Sequence, residues 1–341
     1  MSQPLTQSLL DELTSKAATK KNIHGAVLCV EKGDGTLSLV SGAGNIKADD
    51  LYFLASVTKL YMTTVMLSLR AENRLQLEDK ISQYLPDEVI SGLHVFKGND
   101  YSHEITIKQL MSNTSGLPDY FSGRVITELL SGKDQAWPLN RTLTAVKQMK
   151  PKFIPGQKGK AQYCDTNYQL LGAIIEAITG QSLKAVFKRY IFDKLQLEKT
   201  YVFKEVSDTR PVPIYYKSKA LHLPLYMASI APEGGMVSTA KEAMIFLKAF
   251  FNGHFFSRRE LSELQIWNLL FGPGTFYYGI GISRQPLSLF GMNKGLLGHW
   301  GHTGAFAFHY PEKDLYFTGT VNQFTGHYTA VQLMRKIINL F

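Results

Sequence analysis

Ser56-Val57-Thr58-Lys59 sets a hydroxyl and an amine three residues apart. On a helix that spacing puts both on one face, with Cβ atoms roughly 5–6 Å apart. A serine hydroxyl is a weak nucleophile until an adjacent base takes its proton. A lysine can be that base only where desolvation or neighbouring positive charge lowers its pKa. The apolar residues 51–55 before the tetrad, and the apolar helix that follows it, supply such burial. At a helix start the Ser56 N–H also points toward a developing oxyanion. Alone the tetrad is a weak signal, because a chain this long holds roughly one or two by chance. Ser238-Thr239-Ala240-Lys241 is a second match. It coincides with Thr239-x-x-Glu242, which reads as a capping box whose hydroxyls start a helix.

Two further segments carry chemistry. Tyr163-Cys164-Asp165 offers a phenol that, near Lys59, could shuttle protons as its phenolate, although the ordinary fate of one among 17 tyrosines is a packed ring with a satisfied hydroxyl. Gly298-His299-Trp300-Gly301-His302-Thr303-Gly304 leads into an apolar strand, and its small residues let a ligand approach the backbone. His299 and His302 face opposite sides of an extended segment, and no carboxylate lies nearby in sequence. The segment is therefore not read as a metal site, and the chain calls for no metal and no organic cofactor.

Positioning these groups requires a scaffold, and its elements are legible. Residues 25–30 and 36–40 flank Gly33-Asp34-Gly35 as a β-hairpin. A helix runs from Ser56 to about Ala71, and a short one over 107–112 ends in the turn Thr114-Ser115-Gly116-Leu117-Pro118. Leu170, Leu171, Ile174, Ile175 and Ile178 recur at helical spacing up to Gly180. After Gly234-Gly235 comes a helix carrying Ala243, Leu247, Phe250 and Phe251, then strands around 277–282, 305–310 and 315–322. A last amphipathic helix carries Leu333, Ile337, Ile338 and Phe341. Strands at both ends with helices between predict one antiparallel sheet built from both termini and flanked by N- and C-terminal helices, with a helical domain inserted. The class is α/β plus all-α: 1–75 with 231–341 as the sheet domain, 76–230 as the helical domain, and the site in the cleft between them.

Composition narrows the function. At about 150 residues per domain, 341 residues make two lobes, and 45% hydrophobic against 19% charged residues fills a packed core. The charge of +9 raises the question of an anionic partner. Its densest stretch, Lys150, Lys152, Lys158 and Lys160, is interleaved with Pro151, Pro155 and Gly156 and reads as a solvated loop. Without a basic stripe at helical period or a recognition motif, nucleic acid is excluded as a partner. Cys29 and Cys164 cannot build a disulfide framework. No apolar run reaches the roughly 18 residues of a membrane span. The first twenty residues read as an amphipathic helix with Asp11 and Glu12 rather than a secretory signal, so the expected location is the cytoplasm, or the periplasm if a leader was trimmed away.

In order, the three chemical segments resemble the active site of the serine β-lactamase-like superfamily: penicillin-binding DD-carboxypeptidases, class C β-lactamases, esterases and D-aminopeptidases. The likeness runs from roughly Gly25 to Asn322. It includes Thr106-Ile107-Lys108-Gln109-Leu110, Thr114-Ser115-Gly116-Leu117-Pro118, Leu170-Leu171-Gly172 and Gly234-Gly235-x-x-Ser238-Thr239. The resemblance implies that Ser56 is acylated, that Lys59 is its proton partner and that Tyr163 relays the proton to the leaving group. It also implies a third motif of Lys-Thr-Gly or His-x-Gly type, in which the strand's aromatic residue falls seven positions after the basic one. Counting back from Phe306 gives His299-Trp300-Gly301, which makes the N–H groups of Ser56 and His302 the oxyanion hole. The rival register, His302-Thr303-Gly304, leaves four positions.

Two departures bear on substrate. Histidine stands where class C β-lactamases carry lysine, which weakens a site for a substrate carboxylate. Asp165 stands where the family usually has asparagine, and a carboxylate cannot donate a hydrogen bond to a substrate carbonyl. It is expected to pair with Lys59 or to receive a substrate amine, shifting base duty toward Tyr163. The resemblance thus implies a serine hydrolase acting through an acyl-enzyme on a small-molecule ester, amide or D-amino peptide, with an esterase first. D-alanyl-D-alanine carboxypeptidase, D-aminopeptidase and β-lactamase activities are the alternatives, and a catalytically weak penicillin- or D-peptide-binding protein is the non-enzymatic one.

Overall fold

Side-chain alternation along Gly25–Lys32 (β1) decides the architecture. Ala26, Leu28 and Val30 enter one hydrophobic core and Val27 and Cys29 the other, all of them buried. A strand apolar on both faces must lie inside a sheet covered by helices on both sides. The computed structural model describes residues 4–272, 276–287, 294–324 and 326–341. Among them, eight strands form one sheet: β1, β2 (Ser38–Gly44), β3 (Asn268–Phe271), β4 (Phe276–Tyr278), β5 (Ser283–Gln285), β6 (Leu296–Trp300), β7 (Ala305–Tyr310) and β8 (Leu315–Thr320). Their spatial order is β3-β4-β5-β6-β7-β8-β1-β2, antiparallel throughout. The N-terminal hairpin therefore docks beside the last strand of the chain, as expected for a sheet assembled from both ends.

The single strand expected over 277–282 is two. β4 and β5 pair with Tyr278 opposite Ser283, and Gly279 N–H donates to Ile282 O at 2.8 Å across the turn. Gly281 sets that turn with φ +70, and a Cβ there would meet Thr63 Oγ1 at 1.9 Å. Glycine is required on both counts.

Gln7–Ala18 (α1) and His327–Ile338 (α5) cover the face of Leu28, Phe306, Phe308 and Phe317, through Leu10, Leu333, Met334 and Ile337. Each such side chain contributes about 1.5–3 kcal/mol by burial. On the other face lie Thr58–Ala71 (α2) and Ala240–Phe251 (α4), with Thr318 Oγ1 donating to Ala240 O at 2.7 Å. Every residue of α2 from Thr58 to Leu69 is buried, which is what a helix apolar all round does. Three of its hydroxyls bond back along the helix: Thr63, Thr64 and Ser68 donate to the carbonyls of Lys59, Leu60 and Thr64. Asp165–Thr179 (α3) packs against α2. No single helix among the described residues is long and apolar enough to cross a membrane.

The capping box expected at α4 is only half formed. Thr239 Oγ1 accepts from Glu242 N–H at 3.2 Å, but the Glu242 carboxylate accepts from the N–H groups of Glu198 and Lys199 and from Thr200 Oγ1. Tertiary donors there outcompete the local one.

Candidate active site

Ser56 sits in a 3-10 turn, Ala55–Val57, that feeds directly into α2. Ala55 adopts φ +45, a left-handed conformation that costs a residue with a Cβ about 1–3 kcal/mol. Surrounding contacts hold it there. Leu54 N–H donates to Met236 O at 2.8 Å, and Thr303 Oγ1 donates to Phe53 O at 2.8 Å. Gly301 lies so close that a Cβ would meet Leu54 O at 2.4 Å. The β6–β7 turn is thereby pressed onto the segment that aims Ser56.

Lys59, one turn on, is fully buried, with three acceptors around its amine. Nζ donates to Ser56 Oγ at 3.0 Å, to Asp165 Oδ1 at 2.6 Å and to Glu233 O at 3.0 Å. An ammonium has three donors and no acceptor, so this arrangement fits the charged form completely. The Glu233 carbonyl reaches Lys59 because Gly234 and Gly235 fold tightly behind it: both N–H groups donate to Ile230 O at 2.9 Å, and a Cβ on Gly235 would meet Met227 O at 2.7 Å.

Tyr163 and Asp165 are placed by the loop after the short helix Ile107–Met111. Asn113, at φ +60, presents Oδ1 to the Cys164 N–H and to Asn167 Nδ2, both at 3.1 Å, while its carbonyl accepts from Gln162 N–H at 2.9 Å. Ser115 Oγ donates to Asn167 Oδ1 at 2.7 Å, and Asp119 Oδ1 accepts from Asp165 N–H at 3.1 Å. Gly116, at φ +74, sits where a Cβ would meet Phe153 O at 2.1 Å. The Ser-Gly-Leu-Pro turn is thus a clamp on residues 162–167. Tyr163 then lies with its ring 5.1 Å from Lys59 Nζ.

The Tyr163 hydroxyl is buried without a partner in hydrogen-bonding geometry among the described residues. Burial, reinforced by the charge of Asp165 and opposed by the nearby Ser56 hydroxyl, holds its pKa well above the ordinary tyrosine range. The phenol is therefore the resting form, and a phenolate would arise only in the course of proton transfer. Asp165, expected either to pair with Lys59 or to await a substrate amine, is committed to Lys59.

His299 and His302 divide as strand and turn. His299, on β6 opposite Ala307, is 2% exposed. Its Nδ1 lies 2.6 Å from Trp300 O, which can only accept, so Nδ1 carries the proton and Nε2 accepts from the Tyr278 hydroxyl at 3.0 Å. Tyr278 is linked in turn to the Tyr168 hydroxyl at 2.9 Å. Burial, aided by the charge on Lys59, lowers the His299 pKa to about 3, and burial lowers that of His327 to about 4. His302 lies in the turn between Phe121 and Phe324, against Ser56. A consequence for stability follows from linkage. Below the unfolded pKa of 6.5, the unfolded chain binds protons that His299 and His327 refuse when folded. Stability should therefore fall as pH drops from about 6.5 toward 4, by up to about 1.4 kcal/mol per pH unit for each histidine. Urea melts of the native protein and of His327→Gln check this; an identical pH slope in both would refute it.

Two cavities meet at Ser56. One is a narrow apolar recess walled by Leu129, Ile214, Leu223, Met227 and Ile230. The other is a wider cleft, open to solvent, that passes Tyr163 and His299 to Lys152 and Lys160. Two of the four lysines read as a solvated loop thus stand at the cleft. Asp119, Glu233 and Tyr278 escaped the sequence reading. Glu233 immediately precedes Gly234-Gly235 and Asp119 follows Pro118, so adjacency to motif residues was the available signal.

A family model described as Beta-lactamase matches residues 10–337. Protein flp of Staphylococcus aureus (strain MW2) is 29% identical over 222 residues, which is 63% of this chain and 40% of that protein. The chain thus spans less than half the length of that curated relative. Among solved structures, a D-stereospecific amidohydrolase from a Streptomyces species superposes with a TM-score of 0.81 at 24% identity, covering 96% of this chain and 98% of the other. A D-amino acid amidase from Ochrobactrum anthropi SV3 gives 0.79 at 21% identity, covering 97% and 100%. At these identities the structural likeness speaks for the fold, which is the β-lactamase/transpeptidase-like one.

Proposed function

The chain belongs to the β-lactamase family, and on that premise we propose that it is a serine hydrolase that cleaves small amides and esters through an acyl-enzyme on Ser56. The observation that carries this reading is the buried contact of Ser56 Oγ with Lys59 Nζ at 3.0 Å, at the junction of two cavities. Lys59 passes one proton to Asp165, at 2.6 Å, and takes the proton of Ser56 as its oxygen attacks the carbonyl carbon. The pair then carries one net positive charge beside the oxyanion, which the N–H groups of Ser56 and His302 receive. Tyr163, protonated at rest, enters as the acid: it gives its proton to the leaving nitrogen or oxygen and regains one from the Lys59–Asp165 pair. Water repeats the sequence on the ester of Ser56.

We assign the third motif to His299-Trp300-Gly301, because His299 continues the strand beside Tyr163 while His302 occupies the turn. A neutral imidazole there offers no cation to a substrate carboxylate. This disfavours penicillins and D-alanyl-D-alanine ends, and with them the wall-peptidase and β-lactamase readings. Purified protein should hydrolyse p-nitrophenyl butyrate with a kcat/KM on the order of 100-fold above that for nitrocefin, the value of a lost charged hydrogen bond. Nitrocefin turnover equal to or above ester turnover would reverse the assignment, and no turnover of any ester or amide would remove the reading.

A further inference from the structure

Two acidic residues border the apolar recess, Asp165 and Glu233. Asp165 pairs with Lys59, whereas the Glu233 backbone carbonyl holds Lys59 while burial, reinforced by the Asp165 charge, pushes the Glu233 carboxyl well above the usual carboxylate range, so that it rests protonated until a ligand cation stabilises its charge. The residue is 2% exposed; Oε1 accepts from the Tyr120 hydroxyl, and Oε2 has no partner among the described residues. A buried carboxyl oxygen without a partner costs about 1–3 kcal/mol. Such a group invites a donor brought in by a ligand. Asp165 cannot play this part, because its carboxylate is committed to Lys59. Asp119 spends Oδ1 on the N–H groups of Phe121 and Asp165 and borders the outer cleft instead.

Resting on the hydrolase reading above, we propose that Glu233 is a specificity-determining residue that receives the α-ammonium of an aminoacyl substrate whose apolar side chain fills the recess. An α-amine stands two bonds from its carbonyl carbon, so a carbonyl at Ser56 brings the amine to the same recess floor. The aliphatic and aromatic walls suit an apolar side chain, for which leucine serves as the probe. The leaving group then occupies the outer cleft beneath Lys152 and Lys160. Substrates of this class are amino acid amides and short peptides cut after their first residue.

Binding to full-length Ser56→Ala protein separates this idea from catalysis. Titration calorimetry with leucinamide, each enantiomer in turn, and with 4-methylpentanamide, its des-amino analogue, compares ligands that differ by the amine alone. At least one leucinamide enantiomer should bind about tenfold or more tighter than the des-amino compound, and Glu233→Gln in the same background should abolish that difference. Equal binding of the amine and des-amino ligands would overturn the proposal without any second variant. So would a difference that survives Glu233→Gln, or one lost in Asp119→Asn alone. The hydrolase reading fails separately, if native protein turns over no ester or amide at all, p-nitrophenyl butyrate included, which carries no amine for Glu233 to receive.

Discussion

Ser56→Ala protein should fold as the parent does and lose hydrolysis of p-nitrophenyl butyrate by about 10⁴-fold or more, the scale on which nucleophile removal acts in serine hydrolases. Intact mass after exposure to a fluorophosphonate should show one adduct on the parent and none on the variant. The size of the effect follows from the geometry. Ser56 Oγ alone combines an activating amine at 3.0 Å with access to both cavities. The other hydroxyls on that stretch, Thr58, Thr63 and Thr64, are fully buried, and the two later ones are bonded back to helix carbonyls. Residual activity in the variant would come from the oxyanion donors and binding alone. The variant should still fold, with a loss of about 1–3 kcal/mol, because alanine leaves one donor of the buried Lys59 amine without its acceptor. An adduct that persists in Ser56→Ala would place the nucleophile elsewhere and dismantle the mechanism.

Much of this site was legible because its chemistry follows local spacing. Ser56 and Lys59 are one helical turn apart, and the hydroxyl-to-amine contact is a property of that turn. Alternation in β1 and the apolar face of α5 likewise encode the sheet and its cover. What stayed hidden depends on partners remote in sequence. Glu242 caps nothing because residues 198–200, brought in by the tertiary fold, offer it three donors. With only Lys59 in view, Tyr163 was a phenol that could shuttle protons as its phenolate. Burial and the Asp165 charge, set 106 residues from Lys59 along the chain, keep it a phenol at rest. Glu233 offered only its adjacency to Gly234-Gly235 for the same reason: its significance lies in an unmet hydrogen bond beside a recess walled by residues from 55 to 324.

The Lys59–Asp165 pair carries the second large effect. Its side chains are 0% and 6% exposed, so neither charge has water to fall back on. Lys59→Met should lower ester kcat/KM by about 10³-fold or more, because Ser56 loses the amine hydrogen-bonded to it that takes its proton. The same variant leaves the Asp165 carboxylate buried and alone, and Asp165→Asn leaves the ammonium alone. Breaking a buried pair in this way costs about 3–5 kcal/mol, whereas removing both charges is far milder. Urea melts should therefore show two strongly destabilised single variants and a Lys59→Met/Asp165→Asn double variant that recovers most of the loss, for a coupling of about 3 kcal/mol. Additive single effects would mean that the two groups do not face each other as ions, and the proposed base would have no proton acceptor behind it. Recovery of stability without recovery of activity is the signature that distinguishes a working pair from a structural one: the double variant folds well, yet has no amine to activate Ser56.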